Sequence, residues 1–186
     1  SAVNTIEQVS ILTAGNATDF GDLSQSQSNT GSLGSATRAV ISLNAPTLEY
    51  VEFATAGNST DFGDSNFSSG DAFTLSSNST RGLIASGADM SNQIDYITIA
   101  STGNATDFGD LTQARYFVDG ASSPTRAVFG GGTAANPVNT IDYVEIASTG
   151  NATDFGNLTQ TKNSGSAASS TTIALFGGGY TGSAYS

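Results

Sequence analysis

The sequence predicts an all-β protein in which four copies of a strand repeat of about 46 residues close into a small β-propeller. Three observations predict it. A seven-residue string recurs four times, an alternating strand precedes each copy, and that strand is apolar on both faces.

The string Gly-Asn-Ala/Ser-Thr-Asp-Phe-Gly begins at Gly15, Gly57, Gly103 and Gly150, so successive starts lie 42, 46 and 47 residues apart. The alternating segments run Thr5 to Thr13, Thr47 to Thr55, Gln93 to Ser101 and Thr140 to Ser148. Their period of two marks them as strands. One face carries Val9 and Ile11, Val51 and Phe53, Ile97 and Ile99, Val144 and Ile146. The other offers Ile6, Leu48 with Tyr50, Ile94 with Tyr96, and Ile141 with Tyr143. A strand apolar on both sides belongs to a sheet covered on both sides, as a propeller blade is by its neighbours. After each string come a Gly/Ser-rich stretch and a short apolar run, the latter at Arg38 to Ile41, Arg81 to Ile84, Arg126 to Phe129 and Ile173 to Phe176. Each repeat thus supplies about four short strands. Gly and β-branched residues interrupt every candidate helix.

The chain is read as one domain, 1–186, with copies at approximately 1–46, 47–92, 93–138 and 139–186. It opens on the third strand of a repeat and finishes on the first two. Pairing of 163–186 with 3–21 would complete one shared blade and remove a free sheet edge. The alternatives are an arc of a larger ring, or a β-solenoid in which the long third strands pair with one another.

This strand order resembles the kelch repeat: a small inner strand, an apolar strand ending in glycines (Gly130-Gly131-Gly132, Gly177-Gly178-Gly179), a loop, a Tyr-bearing strand and an outer aromatic. Arg115 stands where kelch repeats often place an Arg before the next blade. The chain departs from that family in having Phe20, Phe62, Phe108 and Phe155 in place of the outer Trp, and Ser42-Leu43 in place of the glycines in the first copy. The strings Gly-Asn-Ala-Thr-Asp-Phe-Gly and Pro-Thr-Arg-Ala-Val-Phe-Gly-Gly-Gly also resemble repeats of structural proteins of tailed marine bacteriophages. That likeness implies a virion fibre, appendage or decoration protein used in assembly or host attachment.

Composition narrows the function. Charged residues make up 11 % of the chain, against about 25 % in an ordinary soluble domain. A net charge of −11 with five Lys/Arg excludes a nucleic-acid track. Absent Cys and His remove thiolate and imidazole chemistry, and with them a Ser-His triad. No apolar run of 18 residues marks a membrane-spanning helix. The start at Ser1, without Met or leader, suggests a processed product or a segment of something longer.

The candidate sites follow from the repeat. Asp107 and Asp110, with Asp19/Asp22 and Asp61/Asp64, are the candidates for Ca²⁺, which takes six to eight oxygens. The favoured reading is that these acids cap tight turns, since the fourth copy has Asn157 instead. No other cofactor is expected. Arg38, Arg81 and Arg126 share one position, read as struts to a repeated acid or to carbonyls; Phe20, Phe62, Phe108 and Phe155 are read as inter-blade core. Asn16, Asn58, Asn104 and Asn151 begin Asn-x-Thr strings read as turns. Tyr116, Phe117, Met90, Tyr180 and Tyr185 depart from their counterparts and are the binding candidates. The expected function is therefore a non-catalytic structural or binding module on a virion or extracellular surface. Its expected partners are other assembly proteins and a host glycan or receptor. The alternative is a secreted carbohydrate-binding adhesin or lectin of a cell.

Overall fold

The computed structural model describes every residue except 45, 68–72, 87–89 and 183–186. Sixteen strands and no helix occur among the described residues. They form five antiparallel sheets in chain order, none of them closed.

A first half-unit holds β1 (Val3–Gln8) and β2 (Thr18–Gln27). Unit I holds β3 (Gly31–Gly34), β4 (Arg38–Ser42), β5 (Thr47–Glu52) and β6 (Thr60–Asp64). Unit II repeats this as β7 (Thr74–Ser77), β8 (Arg81–Ala85), β9 (Gln93–Thr98) and β10 (Thr106–Asp110). Unit III does so as β11 (Asp119–Ser122), β12 (Arg126–Gly130), β13 (Thr140–Glu145) and β14 (Thr153–Asn157). A last half-unit holds β15 (Ser166–Ser169) and β16 (Ala174–Gly177). In each full unit the four strands lie in sequence order, a meander joined by hairpins. The third strands pair only with the second and fourth strands of their own unit, which rules out the solenoid ladder.

Short polar side chains shape the first hairpin. Ser35 Oγ accepts the N–H groups of Thr37 and Arg38, Ser123 those of Thr125 and Arg126, and Ser170 those of Thr172 and Ile173. Asn78 does the same for Thr80 and Arg81. These are local side-chain mimics of a backbone turn. The alternating segments are shorter as strands than their patterns suggest. Unit I stops at Glu52, where Thr55 N–H turns back onto the Glu52 carbonyl, and Ser101 and Ser148 repeat the turn.

The outer strand carries a bulge in every copy. Leu48 faces Gly63 while Glu49 faces Asp61, leaving Phe62 unpaired; Phe20, Phe108 and Phe155 are skipped in the same way. A bulge re-aims a side chain. Here it turns Phe62 and Phe108 into the core, where they are almost wholly buried.

Sheets are stacked face to face. Leu83, Ile94 and Phe108 of unit II pack on Phe129, Val144 and Ile146 of unit III. Val40, Leu48 and Phe62 of unit I pack on Ile84, Ile97 and Ile99 of unit II. Both faces of unit II are therefore covered, as its apolar pattern requires.

The two half-units stay separate. β1 pairs with β2 alone and β16 with β15 alone, so among the described residues the expected pairing of 163–186 with 3–21 is not made. Val9 and Ile11 at one end are 58 % and 94 % exposed, and Ile173 and Leu175 at the other 62 % and 67 %. The first strands sit side by side in chain order, β3 beside β7, β7 beside β11 and β11 beside β15, so the last half-unit extends the row and does not return to β1.

Candidate functional site

Three repeated joints hold neighbouring sheets together, and they consume the residues that looked chemically promising.

The first joint is the Gly-Asn-x-Thr-Asp-Phe-Gly corner itself. Gly57 N–H donates to the Phe20 carbonyl, Gly103 to Phe62 and Gly150 to Phe108, each at 2.7 Å. Two residues on, Ser59, Ala105 and Ala152 donate to the carbonyls of Asp22, Asp64 and Asp110. The amide oxygens of Asn58, Asn104 and Asn151 accept the N–H groups of the same three aspartates at 3.1 Å. The backbones approach so closely that a Cβ on Gly63 or Gly109 would stand 2.5 Å from the carbonyl of Gly103 or Gly150. Three Asn of the Asn-x-Thr strings, exposed like Asn16, are thus acceptors between units.

The second joint is a carboxylate on each third strand: Glu49, Asp95 and Asp142, all buried. Each receives a donor from beyond the bulged corner of the preceding outer strand, within β2 for Glu49 and past the strand end for Asp95 and Asp142. Ser24 N–H donates to Glu49, Asn66 N–H to Asp95 at 2.7 Å, and Thr112 to Asp142 through both N–H and Oγ1. The third of these is reinforced by Arg115, whose Nη2 lies 2.8 Å from Asp142 with neither side chain exposed. Arg115 also donates to the carbonyls of Phe129, Gly131 and Thr140. Desolvation lowers the pKa of this guanidinium from its ordinary value, and the Asp142 charge opposes the shift.

The third joint is the Arg position. Arg38 lies 4.2 Å over the Tyr50 ring, Arg81 4.5 Å over Tyr96, and Arg126 4.3 Å over Tyr143. Each Tyr meets the bulged Phe of its unit edge to face, at 6.1, 6.0 and 5.8 Å. Arg38 also bonds Glu52 and crosses to the Ile99 carbonyl of the next unit; Arg81 crosses to the Ile146 carbonyl. Arg126 reaches only Glu145. Phe155, expected in the core, is instead 55 % exposed because no sheet covers it.

The Ca²⁺ candidates are arranged as turns. Asp107 Oδ1 accepts Gly109 N–H within its own corner, and Asp22, Asp64 and Asp110 lend their N–H groups to the next Asn. Among the described residues no three acids gather as a metal would require.

The binding candidates lie where linkers and loops interlock. Tyr116 bridges Thr133 and meets Phe117 at 4.8 Å; Phe117 has a positive φ of 56° and is partly exposed. Met90 has the same φ and adjoins Ser91, whose carbonyl accepts Arg115 N–H. Tyr180 bridges Asn163. Tyr185 falls outside the described residues. Nearby, burial raises the pKa of the Asp119 carboxyl, against the opposing pull of Lys162 and the Gly165 N–H.

Sequence reasoning passed over Glu49, Asp95 and Asp142 as acceptors. Their signal was present: each stands on the apolar face of its strand, two residues before Val51, Ile97 or Val144.

No family model matches the chain, and no curated protein does. Among solved structures it is similar to one described as "Structure of YjhT", with a TM-score of 0.72 at 8 % identity, covering 90 % of this chain. The chain spans 66 % of that structure's length. The likeness is one of fold alone. Among the described residues no helix is long and apolar enough to cross a membrane.

Proposed function

We propose that the chain is an arc of a kelch-like β-propeller and serves as a non-catalytic structural module of an exterior assembly, of the virion fibre, appendage or decoration kind. The observation that carries this reading is the use to which charge is put. The carboxylates of Glu49, Asp95 and Asp142 and the arginines Arg38, Arg81 and Arg115 are occupied as struts between units, while much of the exposed apolar surface lies at the two ends. Such a distribution, repeated from unit to unit, suits assembly better than turnover, because an active site needs asymmetry. Radial stacking of four-stranded meanders supports the propeller part of the reading. Mass spectrometry of purified particles tests the rest: the chain is expected as a stoichiometric particle component. Its absence from particles, or turnover in a hydrolase panel, would count against this reading.

A second reading, a glycan-binding adhesin, draws on the partly exposed Phe117 beside Tyr116 at the loop end. Binding on a glycan array that is lost in Phe117→Ala favours it.

A further inference from the structure

We infer that Phe117 is the stacking platform of a ligand site at one end of the sheets, and that this site takes an uncharged pyranose. The inference rests on the glycan-binding reading above and not on the virion assignment.

The backbone at Phe117 opposes its side chain. Its φ of 56° lies in the left-handed region, which bulky residues rarely occupy and which Gly, Asn and Asp enter most readily. The equivalent residue of the last half-unit is Ser164, with a φ of 53°. The linker therefore requires the conformation but not the ring. Burial does not offset the strain, because the side chain is 39 % exposed and meets Tyr116 at 4.8 Å and 60°. An edge-to-face contact covers at most one face of a ring. Local strain of this kind persists where the rest of the structure imposes it, and it gathers at ligand clamps.

The position is not isolated. Among the described residues the four non-glycine residues with left-handed φ are Ser86, Met90, Phe117 and Ser164. All stand at the same end of the sheets, where second strands finish and first and third strands begin. Interlocking segments hold them there. Ser86 Oγ donates to the Arg115 carbonyl at 2.6 Å, and Arg115 N–H donates to that of Ser91. Ser164 N–H donates to the Phe117 carbonyl, while Asn163 pairs with Tyr180 and donates to Thr133 Oγ1. The Phe117 linker thus runs between the Met90 loop on one side and the 163–164 linker on the other. Met90 and Tyr180, exposed to a similar degree, form the rim. A ring fixed in such a frame is ordered before any ligand arrives, which lowers the entropic cost of binding.

The chemistry of this end selects the ligand. The negative face of an aromatic ring attracts C–H groups, and a pyranose presents a row of them on its apolar side. Around the ring, residues 131–138, 162–164 and 178–182 offer hydroxyl, amide and backbone groups, the partners a polyol needs. Both cations of these segments are engaged: Arg115 on Asp142 and three carbonyls, Lys162 on the Phe176 carbonyl. The net charge of −11 repels an acidic sugar. An uncharged sugar meets a ring and a neutral hydrogen-bonding rim.

The test places the full 186-residue chain on an array of neutral, sialylated and sulfated glycans, followed by calorimetric titration with the strongest neutral glycan. Binding is expected among the neutral glycans alone. Phe117→Asn suits the left-handed backbone and removes the ring, so it should weaken binding at least about tenfold while the melting temperature holds or rises. Phe53→Ala removes an exposed ring at the opposite end of its sheet and should bind like the unchanged protein. Binding that survives Phe117→Asn would overturn the inference and leave the adhesin reading standing. So would a preference for acidic glycans, or a clear fall in the melting temperature of Phe117→Asn, which would make the ring a structural element. A chain that binds no glycan removes both.

Discussion

Arg115 and Asp142 meet at 2.8 Å with no solvent access to either side chain, and the pair joins the linker leaving unit II to the third strand of unit III. Most of its polar atoms are partnered: three carbonyls and Asp142 take the Nη protons, Thr112 supplies two donors to the carboxylate, and the buried Nε–H has no partner. Breaking one side is therefore more damaging than removing both. Arg115→Ala or Asp142→Ala should cost about 3–5 kcal/mol, whereas the pair Arg115→Met with Asp142→Leu should cost markedly less than either. Urea unfolding of the four proteins checks the cycle; equal losses in all three variants would show that the carbonyl contacts dominate.

Phe108→Ala should cost about 3–5 kcal/mol, since the ring is 2 % exposed between two sheets. Phe155→Ala, at the open end, should cost less than about 1 kcal/mol in dilute solution. Thermal melts of both variants at micromolar protein decide it.

The Arg positions should rank by what they cross. Arg81→Ile loses a stack on Tyr96 and a donor to the Ile146 carbonyl, and should cost about 1–2 kcal/mol. Arg126→Ile loses a more exposed pair with Glu145 and should cost less than about 1 kcal/mol. Reversal of this order in denaturant titrations would remove the crossing hydrogen bond from the account.

Gly109→Ala combines a positive φ of 144° with a carbonyl 2.5 Å from the new Cβ, and should destabilise by more than about 2 kcal/mol. Gly156→Ala has the same strain in open space and should cost less; Gly15→Ala has neither and should be neutral. Melting temperatures of the three variants test the order.

Asp119 sets a pH dependence. Because burial raises its folded pKa, ionisation weakens the fold: this contribution to stability is full below the ordinary carboxylate value and is lost as pH rises through the folded pKa. Asp119→Asn should therefore be the more stable protein at neutral pH, with the difference vanishing toward acid. A stability difference independent of pH would show that the carboxyl titrates normally.

Strand positions and their order were legible because alternation, glycine runs and the recurring string are local signals. The corner's real work was not, since Gly57 and Phe20 meet through space and no local rule pairs them. The carboxylates were readable in principle. An acid among apolar residues on a covered face needs donors, and Glu49, Asp95 and Asp142 find theirs in the preceding unit, just after its bulged corner. Closure was not legible, because strand count says nothing of how one sheet is set against the next.

Since each corner shares its hydrogen bonds with its immediate neighbours alone, repeats of this protein act as interchangeable links. An in-frame duplication or loss of one repeat would lengthen or shorten the arc without disturbing the joints that remain. Genes of this design can change circumference by recombination, with no new contact to invent.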